Sequence, residues 1–408
     1  MALKMTNPVE EQYSKWIYPS PVMDMMQAIK DGSYIEIANP YHHWGVHWPK
    51  LRAAPEKLTI LCAGCGTNQA AFHACLNPNW EVIGVDLSDS SLAHQNYLKE
   101  KHNLKNLTLK KINLLDIESL NKKFDYIACT GVLHHLPDPD SGLTALSKVL
   151  SHGGVINLMV YGTTLRLGVY LLQDLFRTLN FSQSQADVDL VRAVISTLPM
   201  EHVANRYIND AHDLAWDSGI VDTFLHPQDR SYTVRELFEF IRKSNLEFLT
   251  WADPIDYSLR SLVPASHPIW PKLEKLGVED SAHVADLLTQ SRGTHRAIIA
   301  HPEYVNSVKV PFESDDFLDC TIIPGNSLEI ITPSDLSKKT NAKCKRFKAE
   351  FEMDYRLCAI FSRLNTGNSI RKVLHSMNLG PKEFENAVSI ARIGFKELSD
   401  RGHVRILI

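Results

Sequence analysis

Short apolar runs alternate with amphipathic stretches between residue 58 and about residue 160. The runs are apolar almost throughout, which is typical of strands covered on both faces in a parallel sheet. They are LTILCAG (58–64), EVIGVD (81–86), NLTLKKI (106–112), FDYIACT (124–130) and VINLMVY (155–161). Helical patterns lie between them, among them 88–101 and 142–150. This alternation predicts right-handed βαβ units and a doubly wound α/β sheet.

The next part of the chain, residues 164–230, reads as mainly helical but interrupted and polar. Regular order returns at Thr233, which forms a capping-box pattern with Glu236 ahead of an apolar helical face. Two more strand candidates follow, EFLTW (247–251) and HRAIIAH (295–301). We therefore expect one α/β domain over 53–303, into which 164–230 and 253–292 are inserted as caps.

Both ends of the chain differ from this pattern. Residues 1–52 are rich in aromatic residues and proline and predict a structured arm or lid. Residues 304–351 predict a linker whose basic stretch, 338–348, is a solvated face or alternatively a site for phosphate or an acidic partner. Residues 352–408 show three apolar helix faces and a closing strand, HVRILI, which suggests a winged-helix-like α+β domain. The faces are Leu357, Ile360, Phe361 and Leu364; Ile370, Val373, Leu374 and Met377; and Phe384, Ala387, Val388 and Ala391.

Composition narrows the class of protein. The 408 residues are 44% hydrophobic and 22% charged, as in ordinary globular proteins, and suggest two to three domains. A net charge of −4 gives no support to nucleic-acid binding. No apolar run approaches the roughly 20 residues of a membrane span, and the first residues show no apolar signal-peptide core. Seven cysteines, an odd number, indicate reduced thiols and a cytoplasmic location.

The strongest chemical signal is the turn AGCGTNQ (63–69) after the first strand. Gly64 and Gly66 allow a ligand to approach the backbone, and Thr67 is a candidate cap for the following helix. Asp86 ends the next strand, where a carboxylate can accept from both hydroxyls of a ribose. The ligand is then a dinucleotide or S-adenosylmethionine. The third glycine of the dinucleotide fingerprint is missing, which argues against a pyrophosphate site.

With these pieces the sequence resembles class I S-adenosylmethionine-dependent methyltransferases. The matching segments are ILCAGCGTNQ (60–69), VIGVDLSDSSL (82–92), INLLDIESL (112–120) and 124–161, which contains GVLHHLPDP and HGG. An NPY-x-x-W segment, Asn39–Trp44, resembles the arm of one branch of that family. The resemblance covers about residues 35–300 and is strongest over 58–161.

The resemblance implies a Rossmann-like fold, S-adenosyl-L-methionine as the cofactor, and a role for each matching residue. The residues implied in cofactor binding are Gly64, Cys65, Gly66, Asp86, Leu87, Asn113, Thr130 and Val132. Asp86 would bind the ribose, Leu87 would lie against adenine, and the amide oxygen of Asn113 would accept from the adenine amino group. Two positions depart from the family pattern, since Cys62 replaces an acid and Asn68 replaces a glycine.

Several candidate residues have competing interpretations. His134 and His135 are general-base candidates beside the methyl donor, or else pack and line the pocket. Tyr41 and Trp44, within an aromatic and histidine-rich patch, form a lid over the substrate or a packing cluster. A metal site needs three or four convergent ligands, and the patch is too local to supply them, so we expect no metal. Cys62 and Cys65 fit a buried strand and a turn better than redox chemistry.

His226, Asp229 and Arg230 precede the capping box and are candidates for the substrate pocket or for a structural Asp–Arg pair. The sequence leaves the methyl acceptor open. It is a small metabolite under the 164–230 cap, or a protein side chain such as asparagine recruited by the C-terminal domain. A non-enzymatic cofactor-binding protein is a third interpretation, nucleic acid comes last, and we expect no membrane partner. A homodimer is compatible with the extra domain.

Overall fold

The computed structural model describes residues 8–32, 40, 44–51, 53–264, 266–290, 292–324, 328–331, 340–344, 350–365 and 367–408. The chain divides into two compact units, each assembled from three segments. Unit 1 takes its described residues from Met1–His42, Glu56–Leu249 and Gln290–Pro302. Unit 2 takes its described residues from His43–Pro55, Thr250–Thr289 and Glu303–Ile408.

The centre of unit 1 is a largely parallel sheet with the strand order β3-β2-β1-β4-β5-β8-β7. Its strands are β1 Thr59–Ala63, β2 Glu81–Asp86, β3 Leu107–Lys111, β4 Phe124–Thr130, β5 Leu150–Gly162, β6 Ser231–Tyr232, β7 Glu247–Trp251 and β8 Thr294–Ala300. Strand β8 pairs antiparallel with β5, and the short β6 pairs with the end of β5. The central strands are buried on both faces, as their apolar sequences require. The expected doubly wound α/β class is confirmed.

Helices cover the two faces of this sheet. They are α1 Pro8–Lys15, α2 Met25–Lys30, α4 Gln69–Leu76, α5 Asp89–Lys101, α6 Pro139–Val149 and α11 Val234–Lys243, with α3 Trp44–His47 belonging to unit 2. Helix α4 lies close to β2 because Gly84 has no side chain: a Cβ there would lie 2.8 Å from the Cβ of Ala70. Helix α11 begins with the expected capping box, in which Thr233 and Glu236 each accept from the other's backbone N–H. Turns of 3₁₀ helix cover Leu114–Leu120 and Leu133–His135.

The segment between β5 and β6 is helical, as expected for 164–230. It contains α7 Thr163–Thr178, α8 Gln185–Ser196, α9 Ala204–Asp210 and α10 Asp217–Phe224, with a 3₁₀ turn at His212–Ala215. These helices share an apolar core of their own around Val169, Phe176, Val188 and Phe224. Helices α7 and α9 pack with almost touching backbones, since a Cβ on Gly168 would lie 2.3 Å from the Cα of Ala204. We call α7–α10 the cap.

Unit 2 is a mixed α/β structure. Its strands are β9 Thr321–Pro324, β10 Leu328–Ile331, β11 Thr340–Cys344, β12 Glu350–Met353 and β13 Val404–Leu407. Its helices are α3, α12 Leu259–Leu262, α13 Trp270–Leu273, α14 Val278–Thr289, α16 Tyr355–Phe361, α17 Ile370–Ser376 and α18 Pro381–Asp400, with α15 Pro302–Ser307 at its boundary and 3₁₀ turns at Pro254–Tyr257 and Asp315–Asp319. Strand β13 pairs antiparallel with β9, and β10–β12 form a separate antiparallel sheet. The three expected helix faces all pack into one apolar core.

The structure groups two segments differently from the expected domains. Residues 253–292 were expected as a cap insertion in the α/β domain, but Thr250–Thr289 belongs to unit 2. Its Ser261 hydroxyl donates to the carbonyl of Arg401 (3.1 Å), and Ile255 lies against Gly402. The expected linker 304–351 contains β9, which pairs with β13, and Phe317 and Ile322, which lie in the core. The basic stretch 338–348 includes β11, and its other residues lie outside the described ones. The winged-helix-like interpretation stays a prediction.

In the part of the chain that the structure describes, no helix combines the length and apolarity needed to cross a membrane.

Candidate active site

The turn between β1 and α4 is shaped by two glycines in the left-handed region. Gly64 has a φ of +68° and Gly66 a φ of +51°, which other residues rarely adopt. A Cβ on Gly64 would lie 2.4 Å from a methyl carbon of Val132, so no larger residue fits there. The turn therefore presents bare backbone at the carboxyl end of β1, where ligands bind in doubly wound folds.

Asp86, at the end of β2, is tied to this turn. Its carboxylate accepts from the backbone N–H of Gly66 (2.8 Å) and from that of Ser88 (2.9 Å). Burial raises the pKa of Asp86, while these backbone donors act in the opposite direction. Each carboxylate oxygen has a second lone pair, so Asp86 can still accept from two ligand hydroxyls.

These elements enclose a cavity of about 410 Å³. The volume falls within the usual range of roughly 300–1,000 Å³ for sites that hold small molecules. The cavity is lined by seven of the eight residues implied in cofactor binding: Gly64, Gly66, Asp86, Leu87, Asn113, Thr130 and Val132.

Cys65 is the implied cofactor residue that does not line the cavity. Its side chain is buried, and its sulfur lies 3.2 Å from where a Cβ on Gly84 would stand. Burial also raises the pKa of both Cys65 and Cys62. These thiols therefore stay protonated, which supports a packing role over redox chemistry.

Three polar residues near the glycine turn have hydrogen-bond partners that the sequence did not indicate. Thr67 does not cap α4, because its hydroxyl donates to the carbonyl of Pro19 (2.9 Å) and Asn68 is the N-cap. The Asn113 side-chain oxygen accepts from the backbone N–H of Leu115 (3.0 Å), so it caps a 3₁₀ turn as well as lining the cavity. The Gln69 amide donates to the hydroxyl of Thr130 (2.7 Å), which links the glycine turn to the end of β4.

Tyrosines and carboxylates form the other side of the cavity. The hydroxyl of Tyr13 donates to one oxygen of Asp222 (2.8 Å) and that of Tyr161 to the other (2.9 Å). The hydroxyl of Tyr18 donates to Asp213 (2.9 Å), which is half-buried, whereas Asp222 is only 2% exposed. Burial and the neighbouring carboxylates raise the pKa of all three tyrosines, so the hydroxyls remain donors. The remaining tyrosine of this wall is Tyr207.

Sequence reasoning missed this wall. Tyr161 follows the apolar run of β5 directly, so its position at a strand end was a signal that could have found it. Tyr13, Asp213 and Asp222 lie on helices or turns of the arm and the cap, where nothing local distinguishes them from surface residues.

The structure places the three candidate residues that precede the capping box in different surroundings. Asp229 does not line the cavity, because it forms a buried ion pair with Arg166 (3.2 Å), each side chain being 1% exposed. Arg230 is exposed and lies over the ring of Tyr232, 4.9 Å from its centroid. Only His226 approaches the wall, where its ring stacks on that of His135 at 4.0 Å. The structural Asp–Arg pair thus exists, but between Asp229 and Arg166.

The two candidate bases occupy different positions. His135 lines the cavity, and its Nδ1 lies 3.1 Å from the carbonyl oxygen of Gln228. His134 is buried against the ring of Tyr161 (3.9 Å between centroids), and neither ring nitrogen has a hydrogen-bond partner among the residues that the structure describes. Burial lowers the pKa of both histidines. The base prediction is therefore geometrically possible for His135 and has no support at His134.

One nitrogen of His135, one of His226 and a carboxylate oxygen of Asp222 lie within 4.8 Å of one another. The backbone N–H of Gln228 donates to Nδ1 of His226 (3.0 Å), so neutral His226 carries its proton on Nε2. Metal binding through Nε2 would have to displace that proton and break the hydrogen bond from Gln228. The expectation that no metal is bound stays a prediction.

The expected aromatic lid is only partly described. Tyr41 lies outside the described residues, and Trp44 belongs to unit 2 and is not among the residues that line the cavity. Instead the cavity is lined by Tyr13, Tyr18 and Pro19 of the N-terminal arm. Pro19 approaches the glycine turn, since a Cβ on Gly66 would lie 3.3 Å from its Cδ.

Comparison with known proteins supports the same class. Residues 61–156 match the family described as "Methyltransferase domain". An uncharacterized protein of Synechococcus sp. is 30% identical over 268 residues, which cover 61% of this chain and 63% of that protein. A ubiquinone biosynthesis O-methyltransferase of Pseudomonas paraeruginosa is 27% identical over 28% of this chain and 48% of its own length. The chain thus spans less than two thirds of either relative.

Among solved structures, PKMT2 from Rickettsia typhi in complex with AdoHcy is similar to this chain with a TM-score of 0.61. The match covers 91% of this chain and 76% of PKMT2 at 18% sequence identity, so it shows a shared fold. Together with the domain match, it confirms the class I S-adenosylmethionine-dependent methyltransferase fold. S-adenosylmethionine is the cofactor of the matching methyltransferase family, and the prediction of this cofactor is confirmed at that level.

Proposed function

We propose that this chain transfers a methyl group from S-adenosylmethionine to a side-chain amine of a protein, the ε-amine of lysine. The observation that carries the proposal is the composition of one cavity. On one side lie the glycine turn and Asp86, and on the other lie tyrosines and the buried Asp222. A methyl donor and an acceptor held in one water-poor cavity can react at a rate that free collision does not reach.

The residues of the donor side fit the cofactor. Both Asp86 and Asn113 line the cavity, where Asp86 would hold the ribose hydroxyls and Asn113 would accept from the adenine amino group. The bare backbone at Gly64 and Gly66 leaves room for the methionine part. When bound, S-adenosylmethionine supplies an electrophilic methyl group on a positively charged sulfur. The structurally similar PKMT2 was determined with AdoHcy, which supports this assignment.

The residues of the acceptor side favour a positive charge. Among the described residues, Asp229 near this wall forms an ion pair with Arg166, whereas Asp222 takes part in no salt bridge. An ammonium group could supply the missing counter-charge and could also lie against the rings of Tyr13 and Tyr18 by cation–π attraction, since the rings of Tyr161 and Tyr207 already face the Arg166 guanidinium. A neutral asparagine amide or a carboxylate would gain neither interaction. Lysine carries such a group at the end of a long, narrow side chain.

The proposal is tested by incubating the full-length protein with methyl-labelled S-adenosylmethionine and cell lysate, then separating proteins from small molecules. We expect label in the protein fraction, recovered as N-methyl-lysine after hydrolysis. Lysate whose lysines have been acetylated serves as the matched control and should take up no label. Label confined to small molecules, or protein label that survives acetylation, would overturn the lysine assignment. A protein that binds no donor by calorimetry would overturn the methyltransferase assignment itself.

A further inference from the structure

The hydrogen bond between His135 and Gln228 fixes which nitrogen of His135 holds its proton. A carbonyl oxygen can only accept, so Nδ1 of His135, 3.1 Å from the Gln228 carbonyl, must be the donor. In the neutral ring the free lone pair is then on Nε2. The Gln228 side chain donates in return to the carbonyl of His135 (3.2 Å), which holds the two segments together. His135 therefore reaches the cavity wall as an acceptor.

Gln228 also fixes the tautomer of His226, but there the proton is on Nε2. The Gln228 N–H donates to Nδ1 of His226 (3.0 Å), which leaves the proton of neutral His226 on Nε2. Burial lowers the pKa of His226 to about 2, and the neighbouring His135 and Arg166 act in the same direction. His226 thus stays neutral and cannot share the role of proton acceptor, although it stacks on His135.

A lysine acceptor creates a need for such a group. An ammonium nitrogen has no lone pair, so it must lose a proton before it can attack a methyl carbon. Asp222 can hold the ammonium as a counter-ion, but both of its oxygens already accept from tyrosine hydroxyls. Among the described residues, Nε2 of His135 makes no hydrogen bond, and His135 lies on the same cavity wall. One of its nitrogens lies within 4.8 Å of a carboxylate oxygen of Asp222.

We propose that His135 is the general base that deprotonates the acceptor ammonium and that Asp222 stabilises the resulting imidazolium. This inference rests on the proposed lysine methylation. The ammonium proton passes to Nε2 of His135, and the freed nitrogen lone pair forms the new N–CH₃ bond as the S–CH₃ bond breaks. The sulfur leaves with the electron pair of that bond and becomes neutral. The nitrogen keeps one positive charge, and the proton on His135 returns to solvent after product release.

The surroundings of His135 determine how the reaction should depend on pH. Facing it are Tyr13 of α1, Tyr161 of β5, Arg166 of α7, Asp222 of α10, Asp229, and the rings of His134 and His226. Burial lowers the pKa of His135, whereas Asp222, the Gln228 carbonyl and Asp229 oppose that shift and Arg166 adds to it. The base is active when neutral, so turnover should fall as the pH drops through this lowered pKa.

The test compares H135Q with wild type and with H152Q, a control in which an exposed histidine outside the cavity is changed. The acceptor is a peptide around the lysine labelled in the lysate experiment, carrying at that position either lysine or S-aminoethyl-cysteine, whose amine is less basic. We expect H135Q to lose about 100-fold or more in turnover of the lysine peptide. Donor affinity should change less than twofold. The loss should be smaller with the less basic amine, because a larger fraction of that amine is already neutral. H152Q should turn over both peptides as wild type does.

A second variant keeps the inference falsifiable if glutamine disturbs the fold. H135A leaves space for free imidazole, and added imidazole should restore part of the turnover. The inference is overturned if H135Q turns over as wild type, if its loss is equal for both amines, or if imidazole restores nothing to a folded H135A that binds donor. Wild-type protein that methylates neither amine would refute the proposed function instead.

Discussion

At the scale of single residues, Asp86 has two tasks, and substitution by alanine removes both. It is the expected contact for the ribose, and it also accepts from the backbone of the glycine turn. Asp86→Ala should weaken donor binding by about 1.5–3 kcal/mol through loss of hydrogen bonds to a charged group. Calorimetric titration with S-adenosylmethionine measures this change.

Asp217→Asn is the matched control for Asp86→Ala. Asp217 begins α10, pairs with Arg192 at 2.9 Å and does not line the cavity. It should therefore bind donor like wild type. Equal affinity in wild type and Asp86→Ala would mean that Asp86 contributes to donor binding neither by direct contact nor through the turn.

Residues of the site were predictable from the sequence where a strand end marks them. Asp86 and Thr130 end apolar runs whose bounds agree with β2 and β4. Asp222 was not predictable, because it is one acid on a polar helix and becomes special only when Tyr13 and Tyr161 meet it across 209 and 61 positions. The part of Cys65 in cofactor binding stays a prediction, because a resemblance transfers a position in a loop but says nothing about which way its side chain points.

At the scale of elements, α4 carries a buried histidine that should make stability depend on pH. His73 is fully buried, its ring nitrogens have no hydrogen-bond partner in the described part of the chain, and burial lowers its pKa from 6.5 to about 4. Below pH 6.5 the unfolded chain binds a proton that the folded chain does not. The free energy of unfolding is therefore not reduced by His73 above pH 6.5, and it decreases as the pH falls from 6.5 towards 4.

Replacing His73 by phenylalanine, which can keep the edge contact with Tyr126, should remove this contribution. Between pH 6.5 and pH 5 the wild type should lose about 2 kcal/mol more of its unfolding free energy than H73F. Urea titrations of both proteins at several pH values measure the difference. Parallel curves would show that His73 is solvated or has a partner in solution.

The pattern of apolar residues predicted the strands of unit 1 well because both faces of a central strand are covered, so the strand sequence is nearly continuous in hydrophobicity. It did not predict how Thr250–Thr289 is assigned, since an amphipathic helix shows that it has an apolar face but not which core receives that face. The helices of 352–408 were identified because an apolar face is visible in the sequence of each. The pairing of β13 with β9 was not, because it depends on contacts between distant positions.

At the scale of the whole molecule, the interleaved segments change what a truncation should do. Ending the chain at residue 303 removes β9, β13 and α16–α18. Thr250–Thr289 and the segment that contains α3 remain, but they lack these elements of their own unit. In the complete chain the backbone of Ile408 donates to Pro49, and Leu407 lies against Gly45. These contacts would be lost.

We expect the truncated protein to bind donor with unchanged affinity, because all residues that line the cavity belong to unit 1. It should be cut by protease within 250–289, where apolar surface becomes exposed. Calorimetry and limited proteolysis followed by mass spectrometry measure the two effects. Loss of donor binding with an intact 250–289 segment would contradict both expectations.

The place of β8 in the sheet also has a consequence for synthesis on the ribosome. Strand β5 is complete at Gly162, but its neighbour β8 ends only at Ala300. At about 5–20 residues per second, the nascent chain carries an unpaired β5 edge for roughly 7–30 s. The short β6 pairs with Tyr161 and Gly162 along the other edge of β5, so it leaves the edge that awaits β8 uncovered. An open, apolar strand edge is a template for pairing with other chains, so newly made copies on neighbouring ribosomes are most prone to aggregate during this interval.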